Sequence, residues 1–135
     1  MIYLLDTNVC IIYLNRRTSG VQQHLERLSP RDVAVCSVVK AELFYGAMKS
    51  SNPTRTMALQ EVFLSQFVSL PFDDVAANIF GRIRAQLAAS GTPIGPYDLQ
   101  IAAIALANNL VLVTHNVREF VRVEGLRLED WEAQG

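Results

Sequence analysis

Four short apolar runs, each separated from the next by a stretch of helical character, constrain this chain more than any other feature. They are "IYLL" (2–5), "VAVCS" (33–37), "VSLPF" (68–72) and "LVLVT" (110–114). Apolar runs without polar alternation are the signature of strands buried on both faces. Strands alternating with helices pair in parallel through crossovers, which predicts an α/β sandwich. A hydrophobic fraction of 50% suits such a doubly covered sheet. "LRLEDW" (126–131) predicts a short fifth strand at an edge, so the expected sheet is mostly parallel with four to five strands. At 135 residues the chain is long enough for one sizeable core, and residues 1–135 read as a single domain.

The intervening stretches carry helix signals. "NVCIIYLN" (8–15) predicts a short helix, and "SGVQQHLERLSP" (19–30) another, with Ser19 as a cap and Pro30 beyond its end. "SVVKAELFYGAMKS" (37–50) has Ser37 as a candidate N-cap, and "NPTRTMALQEVFLSQF" (52–67) has Pro53 in its first turn. Asp73 or Asp74 starts a long helix that Gly91 closes. "TPIGPYD" (92–98) reads as a Pro/Gly loop, and "DLQIAAIALANN" (98–109) as a buried helix that Asp98 begins.

Composition excludes several classes. A net charge of −1 gives no sign of non-specific nucleic-acid binding. No apolar run reaches the roughly 18 residues of a membrane span. The N-terminus has no basic region before its apolar run, and Asp6 interrupts that run early, so the chain reads as cytoplasmic. Cys10 and Cys36 lack metal-ligand spacing and read as small buried hydrophobes.

In open parallel sheets, ligands bind at the carboxyl ends of strands. Asp6, Thr7 and Asn8 follow the first apolar run; Thr114, His115 and Asn116 follow the fourth, with Glu119 one turn later. Glu42 lies on an apolar helix face with Val38 and Tyr45, and Asp98 shares a face with Ile101, Ala102 and Ala105. Each acid has an ordinary alternative. Asp6 and Asp98 would cap helices, Glu42 would pair with an arginine, and Glu119 would be an exposed acid beside Arg118 and Arg122. Together, acids at one sheet edge demand a cation to offset their repulsion. Oxygen ligands without a His–Cys set favour Mg²⁺ over zinc. Such a site activates water and stabilises the leaving oxygen of a phosphodiester. Setting aside Asp6, Glu42, Asp98 and Glu119 leaves nine acidic against 12 basic residues, a net of +3, which suits a weak polyanion binder. Arg16, Arg17, Arg82, Arg84 and Arg118 are candidate RNA contacts, against the alternative of an ordinary solvated surface.

The stretches "LLDTN" (4–8), "SVVKAELFYGA" (37–47), "GTPIGPYDLQIAAIALANNLVLVTHNVREF" (91–120) and "GLRLEDW" (125–131) resemble the PIN-domain ribonucleases, and in particular the VapC toxins of VapBC toxin–antitoxin pairs. The resemblance implies a PIN-like three-layer sandwich and an endoribonuclease dependent on Mg²⁺, with Mn²⁺ as substitute. Asp6, Glu42 and Asp98 match the family's core acids: Asp6 and Asp98 as metal ligands, Glu42 binding metal or orienting the attacking water. Many PIN domains carry an aspartate where this chain has Asn116, and Glu119 is the nearest acid. Thr7 and Thr114 are expected to orient the acids, and Asn8 to support the first loop. The resemblance further implies a homodimer, a VapB-like antitoxin and a structured RNA substrate such as tRNA, with initiator tRNA suggested by the "GTPIGPYD" loop. Phe44, Tyr45, Met48, Phe63 and Phe67 are candidates to line an antitoxin groove. The alternative is a catalytically silent PIN-like module that binds RNA or protein. A phosphatase using Asp6 as nucleophile lacks the second aspartate it would need at Asn8.

Overall fold

The computed structural model describes residues 1–16 and 19–132. Its centre is a five-stranded sheet in the order β3-β2-β1-β4-β5, from Tyr3–Leu5 (β1), Val33–Cys36 (β2), Val68–Leu70 (β3), Val111–Val113 (β4) and Leu128–Glu129 (β5). Every neighbouring pair is parallel, with Tyr3 opposite both Val33 and Val111. Among the described residues, seven α-helices flank the sheet: Thr7–Asn15 (α1), Gly20–Glu26 (α2), Ser37–Met48 (α3), Pro53–Leu64 (α4), Asp74–Ala89 (α5), Pro96–Ala107 (α6) and Val117–Phe120 (α7). A 3₁₀ turn, Pro30–Asp32, leads into β2. This is the expected α/β sandwich, and "LRLEDW" supplies the fifth strand at the edge.

The central strands are apolar because they have no solvated face. Leu4, Leu5, Ala34, Val35, Cys36, Leu112 and Val113 are all fully buried. Leu99 and Ile101–Ala105 of α6 join the same core, which explains why that helix shows almost no polar face. Trp131 closes the core at the C-terminal end, in a T-shaped contact with Tyr3 and with its face stacked on His24. Gly20 is required here, since a Cβ at that position would sit 1.9 Å from the Trp131 carbonyl oxygen.

Helix ends follow side-chain chemistry in most places. Ser19 accepts a hydrogen bond from the Gln22 amide, Asn52 from Arg55 and Asp73 from Ala76. Gly91, at φ +69°, ends α5, with the Thr92 amide donating to the Leu87 carbonyl and the Gly91 amide to Ala88. Asn109, at φ 56°, ends α6 in the same way through Leu110 to Ala105. Two sequence expectations need correction. Ser37 does not cap α3: it is the first helical residue, and its hydroxyl donates instead to the Leu70 carbonyl on β3. Asp98 does not begin α6, because Pro96 does. A proline lacks only an amide hydrogen that the first turn leaves unused, so "TPIGPYD" yields its last three residues to the helix.

The strand order sets where a site can form. From β1 the chain moves outward to β2 and β3, then crosses back to β4 on the other side of β1. The carboxyl ends of β1 and β4 therefore flank the point where the winding reverses, and a crevice forms there.

Candidate active site

Asp6 leaves β1 directly into that crevice. Its amide still belongs to the sheet, donating to the Val113 carbonyl at 3.1 Å, while its Oδ1 caps α1 by accepting from the Val9 amide at 2.9 Å. The side chain is buried, at 5% exposure. Burial pushes its carboxyl up to about 6, opposed by hydrogen bonds from Thr114 and Val9 and reinforced by the charges of Asp98 and Glu42. So Asp6 is both a helix cap and a member of an acid cluster, and the two readings do not compete.

Thr7 opens α1, and its hydroxyl donates to Glu42 Oε1 at 2.6 Å across 35 residues of sequence. Glu42 is half-buried on α3, and among the described residues its partner is this hydroxyl rather than an arginine. Asp98 sits in the first turn of α6, half-buried. Burial raises its carboxyl, and the charges of Glu42 and Glu119 raise it further. These shifts tie the acids into one electrostatic group: Asp6 senses Asp98 and Glu42, and Asp98 senses Glu42 and Glu119.

The β4 side is organised by Thr114 and Asn116. Thr114 is fully buried; its Oγ1 accepts from the Asn116 amide at 2.9 Å, and its side chain also hydrogen-bonds Asp6. Asn116 Nδ2 donates to Glu119 Oε2 at 2.6 Å. The other oxygen, Oε1, lies 3.5 Å from Arg122 Nη2. Arg122 also donates to the Glu119 carbonyl at 3.3 Å and to the Thr92 carbonyl at 3.2 Å. Glu119 is thus gripped at both oxygens, and Arg122 ties it to the segment that precedes α6. Asn8 is exposed on α1.

The arginines are dispersed. Arg82, Arg84 and Arg118 are exposed, with Arg84 lying 5.6 Å over the Phe80 ring. Arg16 faces Glu132 at 3.9 Å. Arg17 lies outside the described residues. None of the four described arginines forms an ion pair with Asp6, Glu42 or Asp98. Of the candidate groove residues, Phe63 belongs to the core, stacked on Tyr13 and edge-on to Phe67, while Tyr45 and Met48 are exposed.

Sequence reasoning missed the pairing of His115 Nδ1 with both oxygens of Asp130, at 3.2 and 3.0 Å. No local pattern links "THN" to "LEDW"; only the parallel pairing of β4 with β5 brings them side by side. It likewise missed the Thr92 carbonyl as an anchor for Arg122.

Among the described residues, no three His, Cys, Asp or Glu side chains stand close enough to hold an ion between them. The acids therefore share a field without forming a closed cage. Magnesium does not need one, since it keeps several waters and binds through one or two carboxylates plus substrate phosphate. An all-oxygen donor set that includes a carboxyl raised chiefly by burial, and further by its neighbours' charge, fits a hard divalent cation.

The PIN domain family matches residues 3–126 of this chain. The tRNA(fMet)-specific endonuclease VapC of Shigella flexneri is 43% identical over 129 residues, which cover 96% of this chain and 97% of that protein. Ribonuclease VapC2 of Rickettsia felis is 38% identical, over 98% and 99% of the two chains. Among solved structures, DNA-bound VapBC from Salmonella typhimurium contains a chain that superimposes with a TM-score of 0.92 at 42% identity, covering 97% of this chain and 98% of that one. The chain belongs to the PIN-domain family, within its VapC ribonuclease branch.

Proposed function

We propose that this protein is the toxin of a type II toxin–antitoxin pair, an endoribonuclease that hydrolyses phosphodiester bonds in tRNA. One observation carries the reading: a carboxyl buried at the sheet's reversal point, pushed up to about 6, and facing the charges of two further acids. Asp6 and Asp98 are the residues that hold a divalent ion, Mg²⁺ with Mn²⁺ as substitute, and Glu42 either shares it or orients the attacking water. When bound, the ion neutralises the carboxylates and the incoming phosphate and lowers the cost of the oxyanion that develops.

The chain's own groups do the rest. Thr7 fixes Glu42 by donating to Oε1, and in this reading Oε2 is the oxygen that accepts from the attacking water. The water oxygen forms the new bond to phosphorus, its proton passes to Glu42 or solvent, and the bond to the leaving ribose oxygen breaks as that oxygen is protonated. Thr114 and the Val9 amide hold Asp6 in place by hydrogen bonds, as the Thr7 hydroxyl holds Glu42. Asn116 and Arg122 together hold Glu119 at the rim, where its charge is partly cancelled.

Initiator tRNA is the substrate this reading favours, by analogy with the tRNA(fMet)-specific relative from Shigella flexneri, and the anticodon loop is the cut site that the family resemblance implies. The structural relatives from Salmonella typhimurium and Rickettsia felis are DNA-bound VapBC complexes, which supports a VapB-like antitoxin as partner and a DNA-bound state of the pair. We place the enzyme in the cytoplasm as a homodimer of one PIN domain spanning residues 1–135. No helix among the described residues is long and apolar enough to cross a membrane.

The test is cleavage of purified tRNA with Mg²⁺ or Mn²⁺, with and without EDTA. Cleavage that stops with EDTA and is lost in Asp6→Asn is expected. RNA bound but never cut would instead identify a silent binding module, and an Asp6→Asn protein as active as the parent would refute the mechanism.

A further inference from the structure

A recess of about 380 Å³ lies beside the acids, lined by Asn8, Ile11, Ile12, His115 and Asn116. It adjoins the site on both sides. Asn8 stands two residues after Asp6, and Asn116 is bonded to Glu119 and follows the strand that carries Thr114. Its floor is apolar: Ile11 is 38% exposed although it lies on the helix that Asp6 caps. Its wall includes an imidazole held by Asp130, which takes Nδ1 between its two oxygens at 3.0 and 3.2 Å and leaves Nε2 for another partner. Two carboxamides complete it.

We propose that this recess is a subsite for one unpaired nucleobase of the RNA, adjacent to the phosphate that is cut. The inference rests on the ribonuclease reading above. Unpaired bases are recognised by stacking on aromatic rings and by hydrogen bonds to their edges, and this recess presents both. Its volume falls in the range of small-molecule sites.

The hydrogen-bond directions sharpen the assignment. A carboxylate only accepts, so the group that Asn116 gives to Glu119 must be its amide NH₂. That leaves Asn116 Oδ1 as an acceptor, and an N–H on the base edge is its complement. Adenine, cytosine and guanine offer an exocyclic amine and uracil offers its N3–H, so every base has a donor for it. The subsite therefore takes an unpaired base by stacking and one edge hydrogen bond, without sorting bases by an amine.

The experiment uses the full-length protein and an RNA hairpin it cleaves in Mn²⁺, with an abasic nucleotide placed at each loop position in turn. At one position next to the cut the abasic nucleotide should slow the parent by about tenfold, within the range of a single stacked base. His115→Ala should lose that sensitivity at that position alone, and His115→Phe, which keeps a ring, should retain part of it. Matching melting temperatures for the three proteins would exclude misfolding as the cause. A parent insensitive to the abasic nucleotide at every position next to the cut, or a sensitivity that His115→Ala leaves unchanged, overturns the subsite while the nuclease reading stands. A parent that cuts no RNA overturns both.

Discussion

Replacing Asp6 by asparagine should make the metal-free protein more stable, and the structure gives the size of the effect. A carboxyl raised from 3.8 to about 6 disfavours the folded state by about 3 kcal/mol once it is fully ionised. Below pH 3.8 the group is protonated in folded and unfolded chains alike, and nothing is lost. As pH rises toward 6 the unfolded chain ionises first, so stability falls across that window and stays low above it. Asparagine never ionises, and its oxygen can still accept from the Val9 amide. In EDTA at pH about 7.5, urea denaturation should therefore show Asp6→Asn more stable than the parent by about 2 to 3 kcal/mol, shrinking toward zero at pH about 4. Saturating Mg²⁺ should narrow the gap by stabilising only the parent. A variant no more stable than the parent in EDTA at neutral pH would refute the claim that Asp6 is buried among like charges.

Other expectations follow from single contacts. Thr7→Val removes the hydroxyl that fixes Glu42 and should lower kcat for RNA cleavage by about tenfold or more with little change in KM, as loss of a group that orients a metal-site ligand typically does. Arg122→Ala releases both Glu119 and the Thr92 carbonyl; because the pair is about one-third exposed, the stability loss in urea should be small, about 1 kcal/mol. Gly20→Ala forces a methyl group onto the Trp131 carbonyl and should destabilise by about 2 kcal/mol or more, visible as a lower urea midpoint and a shift in Trp131 fluorescence.

Local pattern made much of this molecule legible. Three of the four apolar runs, around Leu4, Ala34 and Leu112, had no alternation because both faces of those strands are covered, and the sequence states that directly. The run around Ser69 was equally readable as a strand, yet Val68 and Ser69 are exposed because β3 is the edge. Caps at Ser19 and Asp73 could be read because a cap bonds to an amide three residues ahead. Ser37 misled for the same reason: it stands where a cap would stand, but β3 offers its hydroxyl a carbonyl 33 residues away. Pro96 reads as loop in the sequence because Gly95 precedes it and Pro93 stands three residues back, although a first-turn proline is compatible with a helix.

The acids were legible as a set, and Thr7 and Thr114 as groups that orient them, but which acid each support serves was not. The alternation of strands and helices was enough to suggest that Asp6, Glu42, Asp98 and Glu119 stand at the sheet's carboxyl edge. That Thr7 serves Glu42, that Thr114 serves Asp6, and that Asn116 and Arg122 divide the two oxygens of Glu119 depends on contacts between helices and strands distant in sequence. The His115–Asp130 pair is of the same kind, created by the pairing of the last two strands.

Soaking crystals of the protein in Mn²⁺ and mapping its anomalous scattering is the most direct trial of this account. A peak within bonding distance of the Asp6 and Asp98 carboxylates, absent in Asp6→Asn, is the predicted result. A peak bound elsewhere, or none in a protein that still cleaves RNA in the same buffer, would contradict it.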